Sequence, residues 1–245
     1  MKNLKIVVPM AGLGSRFSSQ GYSDPKPLIR FLGKPMIQHV IEHVGLMQHE
    51  HIFLCQKEHV EKYKLHELFA SFLPNFKIVE VDGLTQGAAC TVMMANTVLS
   101  PDDSILLVNS DQLTHWDRDV LDQFETNNYG GCIFCFPGEG PKWSYAKVNL
   151  QGLVTEVAEK VQISDHATSG MYFWKRWQDF MDAAQAMIAA NDRTNNEFYV
   201  APVYNYAINK KITIEYVYHV DQVGTPEELN EYLELKANAH QTDGE

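Results

Sequence analysis

Short apolar runs alternate with amphipathic stretches through the first half of the chain. Residues 5–10, KIVVPM, form an almost unbroken apolar run, the pattern of a strand covered on both faces. Residues 34–47, KPMIQHVIEHVGLM, place Met36, Ile37, Val40, Ile41 and Val44 at helical spacing, with Pro35 suited to a first turn. The alternation then repeats. HIFLCQ (51–56), FKIVEV (76–81) and SILLVNSD (104–111) read as strands. EHVEKYKLHELFASFL (58–73), closed by Pro74, and the small-residue stretch GAACTVMMANTVL (87–99) read as helices.

The rhythm changes in the second half. GGCIFCF (130–136), YAKVNL (145–150), LVTEVAEK (153–160), ATSGMYFW (167–174) and ITIEYVYHV (212–220) read as strands, the second and third joined as a hairpin. Residues 175–192 form a long helical pattern. A terminal helix begins at TPEEL, with Thr225 as N-cap and Pro226 at the first position. No element is assigned over 112–129 or 193–211. Repeated β-α-β steps predict one α/β domain over 1–240, a Rossmann-like, mixed and mainly parallel sheet with helices on both faces. Residues 241–245 are expected to fray.

At 245 residues the chain is long enough to bury a core without cross-links. Its net charge of −11 excludes a general nucleic-acid binder, because a phosphate backbone demands a basic face. The apolar run at the start is too short for a secretory leader or a membrane span, so a cytoplasmic location is expected. The four cysteines (Cys55, Cys90, Cys132, Cys135) contain one C-x-x-C pair, which on a strand puts Cys132 and Cys135 on opposite faces. Buried thiols fit better than a zinc site.

One stretch reverses the overall charge. Residues 10–30 carry Arg16, Lys26 and Arg30 against a single acid, Asp24, and contain Gly12 and Gly14 directly after the first strand. A glycine-rich turn at a strand end aims backbone amides at phosphate. Neither established version fits: there is no Walker lysine, and position 17, where the dinucleotide fingerprint needs glycine, is Phe. Turn chemistry in SSQGYSDPKP predicts a long loop with no helix. Arg16 can fork onto phosphate oxygens and Lys26 can act as a point charge, stiffened by Pro25 and Pro27.

GLGSRF, DPKPL and GKPMIQHVIE together resemble the signature of the sugar-phosphate nucleotidyltransferases, the NDP-sugar pyrophosphorylases. LTQGAACTVMMA, LLVNSDQ, TEVAEK, SGMYFW and VGTPEEL resemble later segments of the same family, in order, across residues 6–229. The likeness is greatest to capsule- and lipopolysaccharide-associated members, cytidylyltransferases included. It implies a nucleotide cradle of Met10, Ala11, Gly12, Leu13, Gly14 and Ser15, with Gln86 and Gly87 approaching the base and Ser110 also binding the nucleotide. It implies catalytic Arg16 and Lys26, acceptor contacts from Lys160, Gly170 and Glu197, and magnesium held by Asp111 and Asp221.

Several of these positions also have plain readings. Asp111 suits a turn cap, and Lys160 a solvated strand end. Trp143, Tyr145, Tyr172 and Trp174 suit either an acceptor pocket or the core. Asp221 departs from the family pattern, which places its acid one residue later, where this chain has Gln222. A one-residue shift on a strand reverses the side chain. The implied reaction joins an NMP from an NTP, CTP favoured, to a sugar phosphate or similar metabolite, releasing pyrophosphate for surface-polysaccharide synthesis. NTP and phosphorylated acceptor are then the partners, with no nucleic acid or membrane and a possible homo-oligomer. A metal-dependent glycosyltransferase and a non-catalytic nucleotide-binding module are the alternatives.

Overall fold

The computed structural model describes residues 3–242. Its framework is a nine-stranded sheet. The parallel block comprises β1 (Leu4–Pro9), β4 (Glu50–Gln56), β5 (Phe76–Val81) and β6 (Ser104–Val108), in the order β6-β1-β4-β5. Between β1 and β4 lies the small hairpin β2 (Arg30–Phe31) and β3 (Lys34–Pro35). Beyond β6 the sheet turns antiparallel through β11 (His166–Trp174), which also pairs with β8 (Gly131–Pro137) and β9 (Ser144–Val148). β10 (Val154–Glu159) closes the predicted hairpin on β9, and β12 (Ile212–Tyr216) runs parallel to β8. A separate ribbon pairs β7 (Gln112–His115) with β13 (His219–Gln222).

Strand alternation builds two cores. In β1, Ile6 and Val8 point into one core and Val7 into the other; β8 sends Cys132 and Phe134 one way, Ile133 and Cys135 the other. The two cysteines of the C-x-x-C pair thus face opposite layers as the period of two requires, and all four thiols are free. One face is covered by α2 (Met36–Val44), α4 (Leu65–Ala70), α6 (Val120–Thr126) and α8 (Pro226–Thr242). The other is covered by α5 (Ala88–Met93), α7 (Trp177–Ala189) and a 3-10 segment at Ala201–Tyr206. The expected α/β sheet with helices on both faces is therefore present. No helix among the described residues is long and apolar enough to cross a membrane.

Several local expectations differ. The single helix read over 58–73 is two, α3 (Lys57–Lys62) and α4, because Lys64 adopts a left-handed conformation between them. The strand read over 212–220 is two strands in different sheets: β12 stays on β8, while β13 crosses to β7. The glycine-rich loop does contain a helix, α1 (Ser15–Ser19), whose turn forms as Phe17 buries its ring and donates its amide to the Gly14 carbonyl at 3.0 Å. α6 and β7 had no sequence assignment. Pro35 stands at the N-cap of α2 rather than inside its first turn. α8 continues through Gln241 and Thr242, where fraying was expected; residues 243–245 lie outside the described residues.

Candidate active site

The chain passes from β1 outward through β4 to β5, then returns to β6 on the other side of β1. In open α/β sheets the crevice at such a reversal, past the carboxyl ends of the strands, is where ligands bind. Here that crevice is a cleft of about 970 Å³. The loop after β1 forms one wall and the residues after β6 form its floor, so adjacency of β1 and β6 brings together segments nearly a hundred residues apart.

Residues 10–16 line the cleft, with Arg16 exposed at its lip. Ala11 is fixed from behind, its carbonyl accepting from Gln56 Nε2 at 2.7 Å. The amides of Gly12, Leu13 and Gly14 donate to no protein acceptor among the described residues, which leaves them available to an anion. Gly14 has φ of 60°, and a Cβ there would stand 2.9 Å from Lys26 Cβ. Only glycine lets the loop pack this closely on the 3-10 turn Lys26–Leu28. From that turn Lys26 extends Nζ to within 2.6 Å of Asp111 Oδ2.

Asp111 follows β6, with Ser110 beside it at the cleft and largely buried. The residue after Asp111 starts β7, paired with β13 so that Gln112 stands opposite Gln222 and Leu113 opposite Asp221. Gln112 and Gln222 face the cleft. Asp221 does not line it: its carboxylate accepts from His115 Nε2 at 3.1 Å and His219 Nε2 at 2.9 Å. The structure therefore does not bring Asp221 to Asp111, and the physical reason is the alternation of a strand. An amide relay crosses the floor, Asn109 Nδ2 donating to Gln112 Oε1 at 3.0 Å and Gln112 Nε2 to Gln222 Oε1 at 3.3 Å. Gly170, at a register shift in β11, makes room for it, since a Cβ there would collide with Gln112 Oε1.

Gly87 lines the cleft, whereas Gln86 does not. The Gln86 side chain accepts from Arg193, whose guanidinium lies 4.0 Å over the Phe198 ring, and its carbonyl accepts from Phe198 N–H at 2.9 Å. Gly87 has φ of 132°, and a Cβ there would stand 2.5 Å from the Phe198 backbone. Its first task here is thus to dock α5 on the 197–199 segment, which bounds the far end of the cleft.

That far end carries Lys160, Glu197, Glu159, Ser144, Trp143 and Tyr199. Lys160 donates to Tyr199 Oη at 2.7 Å. Glu159 is buried and accepts from Ser144; burial raises its pKa, against the lowering effect of Ser144 and of nearby Lys160. Of the four aromatics singled out in the sequence, Trp143 and Tyr172 line the cleft, while Tyr145 and Trp174 are fully buried core residues. Sequence reading missed Glu159, Lys142 and Glu228. Glu159 and Glu228 lie inside the TEVAEK and VGTPEEL segments, which were the available signal; nothing local marked Lys142. Lys142 and Glu228 pair across the cleft at 3.3 Å.

The family model for nucleotidyl transferases matches residues 5–234. The bifunctional protein GlmU of Thermodesulfovibrio yellowstonii is 29% identical over 231 residues, 86% of this chain and 46% of that protein. GlmU of Methanocaldococcus jannaschii is 31% identical over 127 residues, 52% of this chain and 29% of that protein. The chain thus spans less than half the length of these curated relatives. Among solved structures, a nucleoside-diphosphate-sugar pyrophosphorylase from Vibrio cholerae RC9 superposes with a TM-score of 0.83 at 27% identity, covering 94% of this chain and 99% of that one. An inositol-1-phosphate CTP transferase of T. maritima shares the fold, with a TM-score of 0.73 at 12% identity over 94% of this chain and 92% of that one. With its cleft at the sheet reversal and a family match across nearly its whole length, this chain belongs to the nucleotidyl transferase family.

Proposed function

We propose that the protein transfers a nucleoside monophosphate from an NTP to the phosphate of a small acceptor and releases pyrophosphate. The observation that carries this reading is the placement of a glycine loop with Arg16 and Lys26 against Asp111 in one cleft, at the carboxyl ends of parallel β1 and β6. A phosphate dianion attacking the α-phosphorus is already a nucleophile. The site then needs alignment and charge neutralisation and no general base. The free amides of Gly12 to Gly14, with Ala11, Ser15 and the Met10 backbone around them, cradle the triphosphate. Arg16 and Lys26 neutralise the charge that develops on it. Gly87 and Ser110 bound the nucleoside, with Gln86 holding its segment from behind.

The acceptor occupies the far end, its phosphate toward Lys160 and its polar groups toward Glu159, Glu197 and the Gly170 bulge. A sugar phosphate is the acceptor class supported by the likeness to the Vibrio cholerae pyrophosphorylase. CTP is the favoured nucleotide, and surface-polysaccharide synthesis the expected setting, by likeness of motifs alone. Magnesium suits the floor: Asp111 Oδ2 stands 2.8 Å from the point where a Gly224 side chain would begin, so glycine leaves room beside a carboxylate. Asp111 would hold the ion, which would supply neutralisation of the phosphate oxygens.

A glycosyltransferase would need no clamp for a triphosphate, and a binding module would show no turnover. Incubation with CTP, UTP, dTTP, GTP or ATP and a panel of phosphorylated acceptors, recording pyrophosphate, separates the three. Release only when both substrates are present is expected; binding without release, or cleavage of NDP-sugars instead, overturns the reading.

A further inference from the structure

The cleft floor holds a second carboxylate that neither the sequence pattern nor the pairing of β7 with β13 announces. The point where a Gly224 side chain would begin lies 2.8 Å from Asp111 Oδ2 and 3.4 Å from Glu228 Oε2. Two acids from different elements thus share one gap, kept open by the absence of a side chain. Each has a lysine ammonium as its present counter-ion: Lys26 on Asp111 at 2.6 Å and Lys142 on Glu228 at 3.3 Å. Glu228 is presented by a fixed backbone, because its amide donates to Thr225 Oγ1 at 3.2 Å in the first turn of α8.

The two positions that the pairing of β7 with β13 offers, 221 and 222, are already engaged. Asp221 is held by His115 and His219 and does not line the cleft. Gln222 lines the cleft, but it is an uncharged amide whose Oε1 already accepts from Gln112 Nε2 at 3.3 Å. A neutral amide supplies no negative charge to the cation, whereas Glu228 brings a carboxylate. Magnesium takes one or two carboxylates, with water and substrate phosphate completing its shell.

We infer that Glu228 supplies the second carboxylate, beside Asp111, for the divalent cation of this site, in place of residue 221 or 222. The inference rests on the nucleotidyltransferase reading for the identity of the site. In the ligand-free protein Lys26 and Lys142 stand in for the ion. With a divalent cation bound, Asp111 and Glu228 would hold it, and the Lys26 and Lys142 ammonium groups would be free to neutralise phosphate oxygens.

The test uses Mn2+ alone, followed by loss of the free-ion electron paramagnetic resonance signal, on the full chain. The reference protein is Lys26→Met, in which Asp111 is released from its ammonium. Adding Glu228→Gln, which keeps size and the helix cap, is expected to weaken Mn2+ binding by about tenfold or more. Adding Asp221→Asn instead is expected to leave affinity within about twofold, and Lys142→Met to strengthen it. Thermal melting checks that each variant folds, and Glu228→Ala serves if Glu228→Gln does not. Equal affinity with and without the Glu228 carboxylate overturns the inference, as does a loss confined to Asp221→Asn or no saturable Mn2+ binding at all. Because this readout needs no turnover, it is separate from the proposed reaction. That reaction fails instead if the wild-type protein releases no pyrophosphate with any substrate pair.

Discussion

Lys26 Nζ and Asp111 Oδ2 lie 2.6 Å apart, joining the loop after β1 to the end of β6 across 85 positions of sequence. Both side chains are about a quarter exposed, so the pair contributes little to stability, on the order of 1 kcal/mol or less. Its value is positional: it holds the cation proposed for phosphate and the acid proposed for the metal in the same place. Lys26→Ala is therefore expected to change the unfolding free energy by less than about 1 kcal/mol. Turnover is expected to fall by at least roughly a hundredfold, as when an electrostatic donor to the transition state is removed. Pyrophosphate release beside chemical denaturation measures both; a large stability loss with unaltered turnover would reverse the assignment.

Arg16 is exposed at the cleft lip. Arg16→Ala is expected to lower turnover by at least roughly a hundredfold, with no change in melting temperature. Lys at this position keeps charge but loses the bidentate fork, so Arg16→Lys is expected to recover only part of the rate. Steady-state kinetics on the three proteins decides it.

The close approach of Gly14 to Lys26 makes position 14 sensitive. Gly14→Ala forces a β-carbon into a left-handed conformation, costing about 1–2 kcal/mol, and pushes on Lys26 Cβ. Nucleotide affinity should drop along with stability. At Gly87 the obstacle is the Phe198 backbone at 2.5 Å, which cannot rotate aside as a side-chain tip could. Gly87→Ala should therefore destabilise more than Gly14→Ala, and comparison of their denaturation midpoints tests the order.

His51, fully buried on β4, has its pKa lowered by desolvation from 6.5 to about 4, against the raising effect of its bond to the His49 carbonyl. A depressed folded pKa contributes stability that is present above about pH 6.5 and is lost as pH falls through 4, because the unfolded chain takes up the proton first. The span corresponds to about 3 kcal/mol. His51→Leu should flatten the stability profile between those limits. A profile parallel to that of the wild type would show that His51 does not carry the acid limb.

Glu159 has the opposite sign. Burial, the largest influence, raises its pKa above 4.5. Its protonated form suits the folded state, so its contribution is present below pH 4.5 and is lost as pH rises through the folded value. Glu159→Gln keeps the hydrogen-bonding shape without the charge. It should gain stability relative to wild type as pH rises from 4 to 7, and it should weaken acceptor binding if Glu159 contacts the acceptor. Melting temperatures across that range, with KM for the acceptor, provide the check.

Local chemistry made a good part of this protein legible in its sequence. The alternation of apolar runs defined the sheet, because side chains on a strand must repeat every two residues. It placed Cys132 and Cys135 on opposite faces for the same reason, and Thr225 at a helix cap because its hydroxyl can reach the Glu228 amide. The cationic glycine loop stood out because its charge opposed that of the whole chain. What the sequence could not decide depends on partners far along the chain. Residues 212–220 read as one strand until β8 and β7 each claim half of it, and that transfer sets which of Asp221 and Gln222 faces the cleft. Phe17 starts a helix in a stretch of turn residues because a core is there to receive its ring. The approach of Glu228 to Asp111 across Gly224, and of Lys26 to Asp111, exists only once α8 and the β1 loop are seated on the same sheet. Period and capping are properties of neighbours in the chain; register and counter-charge are set by what the fold places opposite.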